Sequence, residues 1–210
     1  MDRERITISI KKEVLKMVDE VIDGIDLRNR SHAIESIVLG ALNNNAPVKA
    51  IVLLGGDSAL KSVTRAIDFI KNLSAFGIKE VIVATGFLGD KVKEKIIQAK
   101  IENISIKFSD KGEGSGGALL ANKKELSSSL FIVYADSTNI DLDLDQLIKY
   151  HKDHNAIATL STNDLSSFRG IYVMSTTVFQ QIPKGYSMLE EDLVPKLSRS
   201  GDLVIYPIIS

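Results

Sequence analysis

The chain lacks cysteine and tryptophan altogether, and its 210 residues include only four prolines, seven phenylalanines and five tyrosines. Without cysteine there are no disulfides, no thiol nucleophile and no thiolate metal site. No apolar run approaches the roughly 20 residues that a membrane helix needs. The N-terminus shows none of the charged, apolar and small-residue order of a signal peptide. A soluble, cytoplasmic protein without a membrane partner is the expectation. An excess of one charge is missing too: 26 basic residues face 27 acidic ones, a formal net charge of −1, so any attraction to nucleic acid must reside in a local patch. Histidine is scarce, and the spacing of His32, His151 and His154 brings no carboxylates with them, which predicts surface positions for all three.

What is present begins with Arg5-Ile-Thr-Ile-Ser-Ile10, a strict alternation with Ile6, Ile8 and Ile10 on one face and Arg5, Thr7 and Ser9 on the other. This is the period of a strand. Helical spacing follows over about Lys12 to Asp23 and again over about Arg30 to Leu42. One strand and two helices bury too little surface to offset their chain entropy, so the pattern predicts a second copy, the two strands pairing antiparallel across a two-fold axis. The Arg5–Ile10 alternation, with Asn29-Arg-Ser-His-Ala-Ile34 opening the second helix, resembles the ribbon-helix-helix family over about residues 3 to 43.

That resemblance implies a homodimer, or a higher oligomer on DNA, whose ribbon enters the major groove of double-stranded DNA. Arg5, Thr7 and Ser9 would read base edges, with Lys11 at the ribbon's end. Asn29 would cap the second helix, setting Arg30 and Ser31 at a phosphate. The segment is not basic overall: over residues 1–47, Arg3, Arg5, Lys11, Lys12, Lys16, Arg28 and Arg30 are outnumbered by Asp2, Glu4, Glu13, Asp19, Glu20, Asp23, Asp26 and Glu35.

Asn43-Asn-Asn-Ala-Pro47 ends the second helix and divides the chain into a domain over residues 1–45 and another over 48–210. Beyond it, near-continuous Val/Ile/Leu strands alternate with amphipathic helices, the pattern of an α/β domain with a mostly parallel sheet covered on both faces. Ligands of such sheets bind beyond the carboxyl ends of the strands. Leu54-Gly55-Gly56, Thr85-Gly86-Phe87, Gly112 to Gly117 and Ala135-Asp136 occupy those places. With Gly185-Tyr-Ser-Met-Leu-Glu-Glu-Asp-Leu-Val-Pro-Lys-Leu197 they resemble the sugar-phosphate nucleotidyltransferases, a three-layer, Rossmann-like α/β fold. The resemblance implies nucleotide binding at Leu54, Gly55, Gly56, Gly114 and Gly117, and Asp136 as the carboxylate for a Mg2+ that accompanies the nucleotide or nucleotide-sugar.

The match has gaps. The family's first loop reads Gly-Gly-x-Gly-Thr-Arg-Leu and is followed by a Pro-Lys, whereas Gly55-Gly-Asp-Ser-Ala-Leu60 has neither the arginine nor the lysine. Only Ser161 to Arg169 occupies the place of the family's Glu-Lys-Pro sugar site, Arg169 stands where an asparagine is called for, and the second metal-binding aspartate would lie beyond Ser210. With no cation to neutralise the transferred phosphoryl group, these departures imply a catalytically degenerate domain. The expectation is therefore a dimeric, nucleoid-associated, sequence-specific DNA-binding transcriptional regulator, its second domain a ligand sensor or assembly surface. Two alternatives remain: an active sugar-phosphate nucleotidyltransferase with a dimerising N-terminal appendage, or an antitoxin-type repressor that grips a protein. Asp143, three residues before Gln146, predicts a capped helix start rather than a calcium loop.

Overall fold

The computed structural model describes residues 6–22, 28–44, 48–56, 58–86, 88–127, 130–137 and 142–206. The chain divides into two compact units, residues 1–46 and 47–210.

The first unit contains α1 (Lys12–Glu20) and α2 (Arg30–Asn44). Asn29 caps α2 as its sequence position predicts, accepting the His32 N–H at 3.0 Å. Residues 6–10, read as a strand, pair with no backbone among the described residues. An alternating segment becomes a strand only when another backbone meets its N–H and C=O groups, and the partner expected for this one is a second copy of the chain. Ile6 and Ile8 are accordingly 74% and 54% exposed. The ribbon expected of a ribbon-helix-helix module is not formed within the chain. Met17, Val14, Val21, Ile37 and Val38 are also exposed, whereas Val18 and Ala33 are buried.

The second unit is a seven-stranded sheet formed by β1 (Lys49–Leu54), β2 (Glu80–Thr85), β3 (Ser105–Ser109), β4 (Leu130–Ala135), β5 (Ala158–Ser161), β6 (Gly170–Ser175) and β7 (Leu203–Tyr206). Their order across the sheet is β3-β2-β1-β4-β6-β5-β7. All pairs are parallel except those that β6 makes with β4 and β5. Between the strands run α3 (Ala59–Leu73), α4 (Gly89–Gln98), α5 (Gly114–Ala121), α6 (Leu144–His154) and α7 (Val194–Ser200).

Alternation along the buried strands sorts the core into two layers. Ala50, Val52 and Leu54 of β1 face a cluster with Val63, Ala66, Phe69 and Ile70 of α3, Val92 and Ile96 of α4, and Leu147 of α6. Ile51 and Leu53 face the opposite cluster with Leu119 of α5, Leu193, and Val194 and Leu197 of α7. Helices cover both faces, which is why the strands read as continuous apolar runs. Asp143 accepts the Gln146 N–H at 3.1 Å and starts α6 as its spacing predicts.

His151 corrects the expectation of surface histidines. It is 3% exposed and its Nδ1 lies 2.9 Å from the Thr159 hydroxyl. The reason is its place on α6: four residues after Leu147, it shares the inward face. Burial, with a smaller contribution from Lys152, pushes its pKa from 6.5 down to about 4. Above pH 6.5 both folded and unfolded chains hold a neutral imidazole. Between 6.5 and 4 only the unfolded chain takes up the proton, so stability falls as pH falls through that window, by up to on the order of 3 kcal/mol. Replacing His151 by Gln should flatten this part of the profile, measured as the difference between the two proteins' urea midpoints from pH 7 to pH 4.

Candidate active site

The parallel pairing of β1 with β4 sets Leu53 opposite Ala135, so the chain leaves the sheet at Gly55 and at Asp136 side by side. The order of strands reverses at this point, because β1 is flanked by β2 on one side and by β4 on the other. A crevice opens where neighbouring connections lead away in opposite directions along the sheet. It is a cavity of about 710 Å3, within the roughly 300 to 1,000 Å3 of small-molecule sites. Leu54, Gly55, Gly56, Gly114 and Asp136, all anticipated from sequence, line it; Gly117 does not. Thr85 lines it at the end of β2, with its Oγ1 buried and without a hydrogen-bond partner.

The glycine-rich turn does something other than offer bare amides to a phosphate. The N–H groups of Gly116 and Gly117 both donate to the Ser187 carbonyl, at 2.9 and 3.2 Å, and Ser187 N–H donates back to Glu113 O at 3.2 Å. Gly114 has φ +75°, and a Cβ there would lie 2.3 Å from the Ser187 carbonyl oxygen. Glycine is thus demanded by a backbone crossing, and the crossing brings residues 186–191 to the cavity. Ser115 secures it: its Oγ accepts the Leu189 N–H at 2.7 Å and donates to Glu190 Oε2 at 2.9 Å. Tyr186, Met188, Glu190 and Glu191 complete this wall.

Asp136 leaves β4 in the left-handed region, φ 46°, which aspartate tolerates better than most residues. Its Oδ1 accepts from Arg65 Nη2 at 2.7 Å and its Oδ2 lies 3.4 Å from Arg169 Nη1. Arg65 comes from α3 and Arg169 from the connector between β5 and β6, so two cations meet the carboxylate from opposite sides of the switch point. Their side chains are 41% and 57% exposed, and partly exposed pairs of this kind are worth about 1 kcal/mol or less. Beneath them lies Tyr134, whose hydroxyl donates to Ser137 O at 3.0 Å and whose pKa is pushed up to about 12, chiefly by burial.

Among the described residues no group of three or more His, Cys, Asp or Glu could cage a metal ion. A single carboxylate still suits magnesium, which binds through one or two carboxylates together with substrate phosphates. Asp136 would fit that mode, provided that a bound phosphate supplied further oxygens.

The residues assigned to DNA do not converge in the same way. Arg5 lies outside the described residues; Thr7, Ser9 and Lys11 are exposed on an unpaired segment. Arg30 is held bidentately by Asp19, at 2.6 and 2.7 Å, beside exposed Ser31. Sequence reasoning missed Ser58, Ser62 and Arg65, although their spacing of four and then three residues places them on one face of a helix that opens directly after Gly55-Gly56.

No family model matches the chain. It is 22% identical over 216 residues to the "Probable glucose-1-phosphate cytidylyltransferase" of Bacillus subtilis (strain 168), covering 80% of this chain and 82% of that protein. Among solved structures it is similar to HddC from Yersinia pseudotuberculosis, with a TM-score of 0.62 and 18% identity over 76% of this chain and 89% of that one. HddC complexed with GMP-PN also matches, with a TM-score of 0.57. The inositol-1-phosphate CTP transferase of T. maritima gives a TM-score of 0.52 with 13% identity, over 77% of this chain and 86% of that one. The second unit thus has a nucleotidyltransferase-like, Rossmann-type α/β fold with a mostly parallel sheet.

These relatives overturn two expectations. They carry the names of nucleotidyltransferases, which contradicts the reading of a DNA-binding transcriptional regulator and leaves nucleoid association without support. The inference of a degenerate enzyme falls with it. Its physical premise was that no cation remains near the phosphates, whereas Arg65 and Arg169 both reach Asp136. No described helix is long and apolar enough to cross a membrane.

Gly114→Ala should break the crossing with Ser187, destabilising the domain by roughly 2 kcal/mol or more through overpacking and backbone strain. Gly55→Ala, where a Cβ meets nothing within 4 Å, should stay within about 0.5 kcal/mol of the parent. Denaturant unfolding of both proteins measures the contrast.

Proposed function

We propose that the second unit is a sugar-phosphate nucleotidyltransferase: a phosphate oxygen of the acceptor attacks the α-phosphorus of a nucleoside triphosphate, the bond to the β-phosphate breaks, and pyrophosphate leaves. The observation that carries this reading is the convergence of Gly55-Gly56, Asp136 and Arg169 on one cavity at the switch point of the sheet, with Arg65 paired to Asp136 at its edge. Each part suits a demand of the reaction. The side chain-free turn at Gly55 and Gly56 lets base and ribose approach the backbone. Asp136 would hold the magnesium ion, whose contribution is to neutralise charge on the phosphates. Arg65 and Arg169 supply fixed positive charge where the transferred group becomes crowded with negative oxygens. Across the cavity, Glu190 and Glu191 offer acceptors for the hydroxyls of a sugar, and Thr85 Oγ1 a further polar contact. The names of the relatives, which include a glucose-1-phosphate cytidylyltransferase and a protein complexed with GMP-PN, support the same class.

The first unit is proposed to join two copies of the chain. Ile6, Ile8, Val14, Met17, Val21, Ile37 and Val38 are exposed apolar residues on a segment of 46 residues, which is too short to stand on its own core. The alternating segment 6–10 is best completed by its own two-fold mate, because a copy presents the same apolar row in antiparallel register.

Purified protein with magnesium, glucose 1-phosphate and each of CTP, GTP, UTP and dTTP should release pyrophosphate continuously with at least one of them. Asp136→Asn should reduce that rate by about 10²-fold or more. Absence of release with every combination of nucleotide and hexose, pentose or polyol phosphate would sink the transferase reading. Sedimentation should show a dimer that Ile8→Glu dissociates; a monomeric parent would remove the proposed role of the first unit.

A further inference from the structure

The first loop of this domain passes from Gly55-Gly56 into α3 almost at once, Gly56 O accepting the Ala59 N–H at 3.3 Å. The helix itself now borders the site: Ser58 and Ser62 line the cavity, and Arg65, one turn further along the same face, ends on Asp136. Resting on the transferase reading, we infer that Arg65 is a polyphosphate-binding residue, and that Asp136 holds it in place until the polyphosphate displaces the carboxylate.

Three features carry the inference. The trio of Arg65, Asp136 and Arg169 has two positive charges and one negative, a local positive cluster beside a cavity whose other charged lining residues are Glu190 and Glu191. A triphosphate offers Arg65 several oxygens in place of the one carboxylate oxygen it now meets and can be gripped bidentately, which suits a guanidinium. The Arg65 Nε–H is buried with no hydrogen-bond partner. The present position therefore leaves a donor unused, and a guanidinium that rotates onto a phosphate can satisfy it. The same geometry shields Asp136. With Oδ1 on Arg65 and Oδ2 near Arg169, the Asp136 carboxylate is already neutralised, and it would be free to hold a divalent cation once a polyphosphate has drawn Arg65 away.

The pair thus works as a competition, which separates it from a structural brace. Inorganic triphosphate, without divalent metal, is the probe, titrated by calorimetry into the full chain and its variants, each checked for a cooperative unfolding transition. Arg65→Gln should weaken binding about tenfold or more, and Arg65→Lys should recover part of the loss. Asp136→Asn should do the reverse and tighten binding severalfold, because it releases Arg65. In parallel, Mn2+ alone, followed by its paramagnetic resonance, should bind Arg65→Gln more tightly than the parent. Equal triphosphate affinity in the parent and Arg65→Gln would overturn the inference. So would a loss with Asp136→Asn that matches the loss with Arg65→Gln, since a brace weakens from either end. Because no step needs turnover, the opposed shifts stand or fall separately from pyrophosphate release: their presence in a protein that transfers nothing would retain Arg65 as an anion site and reject the transferase.

Discussion

The cavity exists because β1 pairs in parallel with β4 while β2 occupies its other side. In that arrangement Leu53 lies beside Ala135, and the connections leaving β1 and β4 begin next to each other before running apart, one through α3 to β2 and the other through α6 to β5. The two buried layers serve the arrangement by clamping the strands from both sides, with Phe69 of α3 stacked on Tyr134 at 4.9 Å between ring centres. Tyr134 is the residue two before Asp136. The packing that stabilises the core therefore also fixes where the carboxylate emerges, and rigid elements hold a reacting group better than loops do.

Much of this domain was legible in its sequence because the information is local. Val81 to Ala84 and Phe131 to Ala135 are apolar without interruption, as doubly covered strands must be. Asp143 and Gln146 announce the start of α6 within four residues. The strand ends at Gly55-Gly56 and Asp136 could be located by counting along the chain, and the cavity is lined by them. What could not be read is contact across distance. Arg65 and Asp136 are 71 residues apart, and on sequence the arginine is one polar residue of an amphipathic helix. The glycines of Gly114 to Gly117 could be seen to need a special backbone, but the Ser187 carbonyl that imposes the need lies some seventy residues away. Burial misled in the same way for His151, whose inward position depends on its phase along α6.

The first unit shows the opposite failure. Its alternation, helices and Asn29 cap are sharply written, and α1, α2 and the cap are formed. From there the reading passed to a function through resemblance alone. Two of its charged groups show the weakness of that step. Arg30, assigned to a phosphate, is engaged by Asp19 through both of its carboxylate oxygens, so its charge is already met by a neighbouring carboxylate, which the local pattern around Asn29 does not reveal. A local pattern specifies local structure; what the surface meets depends on charges brought from elsewhere in the chain.

The same distinction explains why missing residues were a poor guide to lost chemistry. Stabilising negative charge on a phosphoryl group depends on the field at that point, not on which element supplies it. The first loop has no arginine, yet α3 opens directly after it with Ser58 and Ser62 on the cavity and Arg65 in contact with Asp136. The short connector Ser161 to Arg169, read as the loss of a sugar site, contributes Ser166, Ser167, Phe168 and Arg169 to the cavity wall. Its conformation is set locally, with Asp164 accepting from both the N–H and the hydroxyl of Ser166 at 2.9 and 2.6 Å. Trimming a fold redistributes its charges rather than simply deleting them, and a helix-borne guanidinium has the advantage that its backbone is fixed before any ligand arrives.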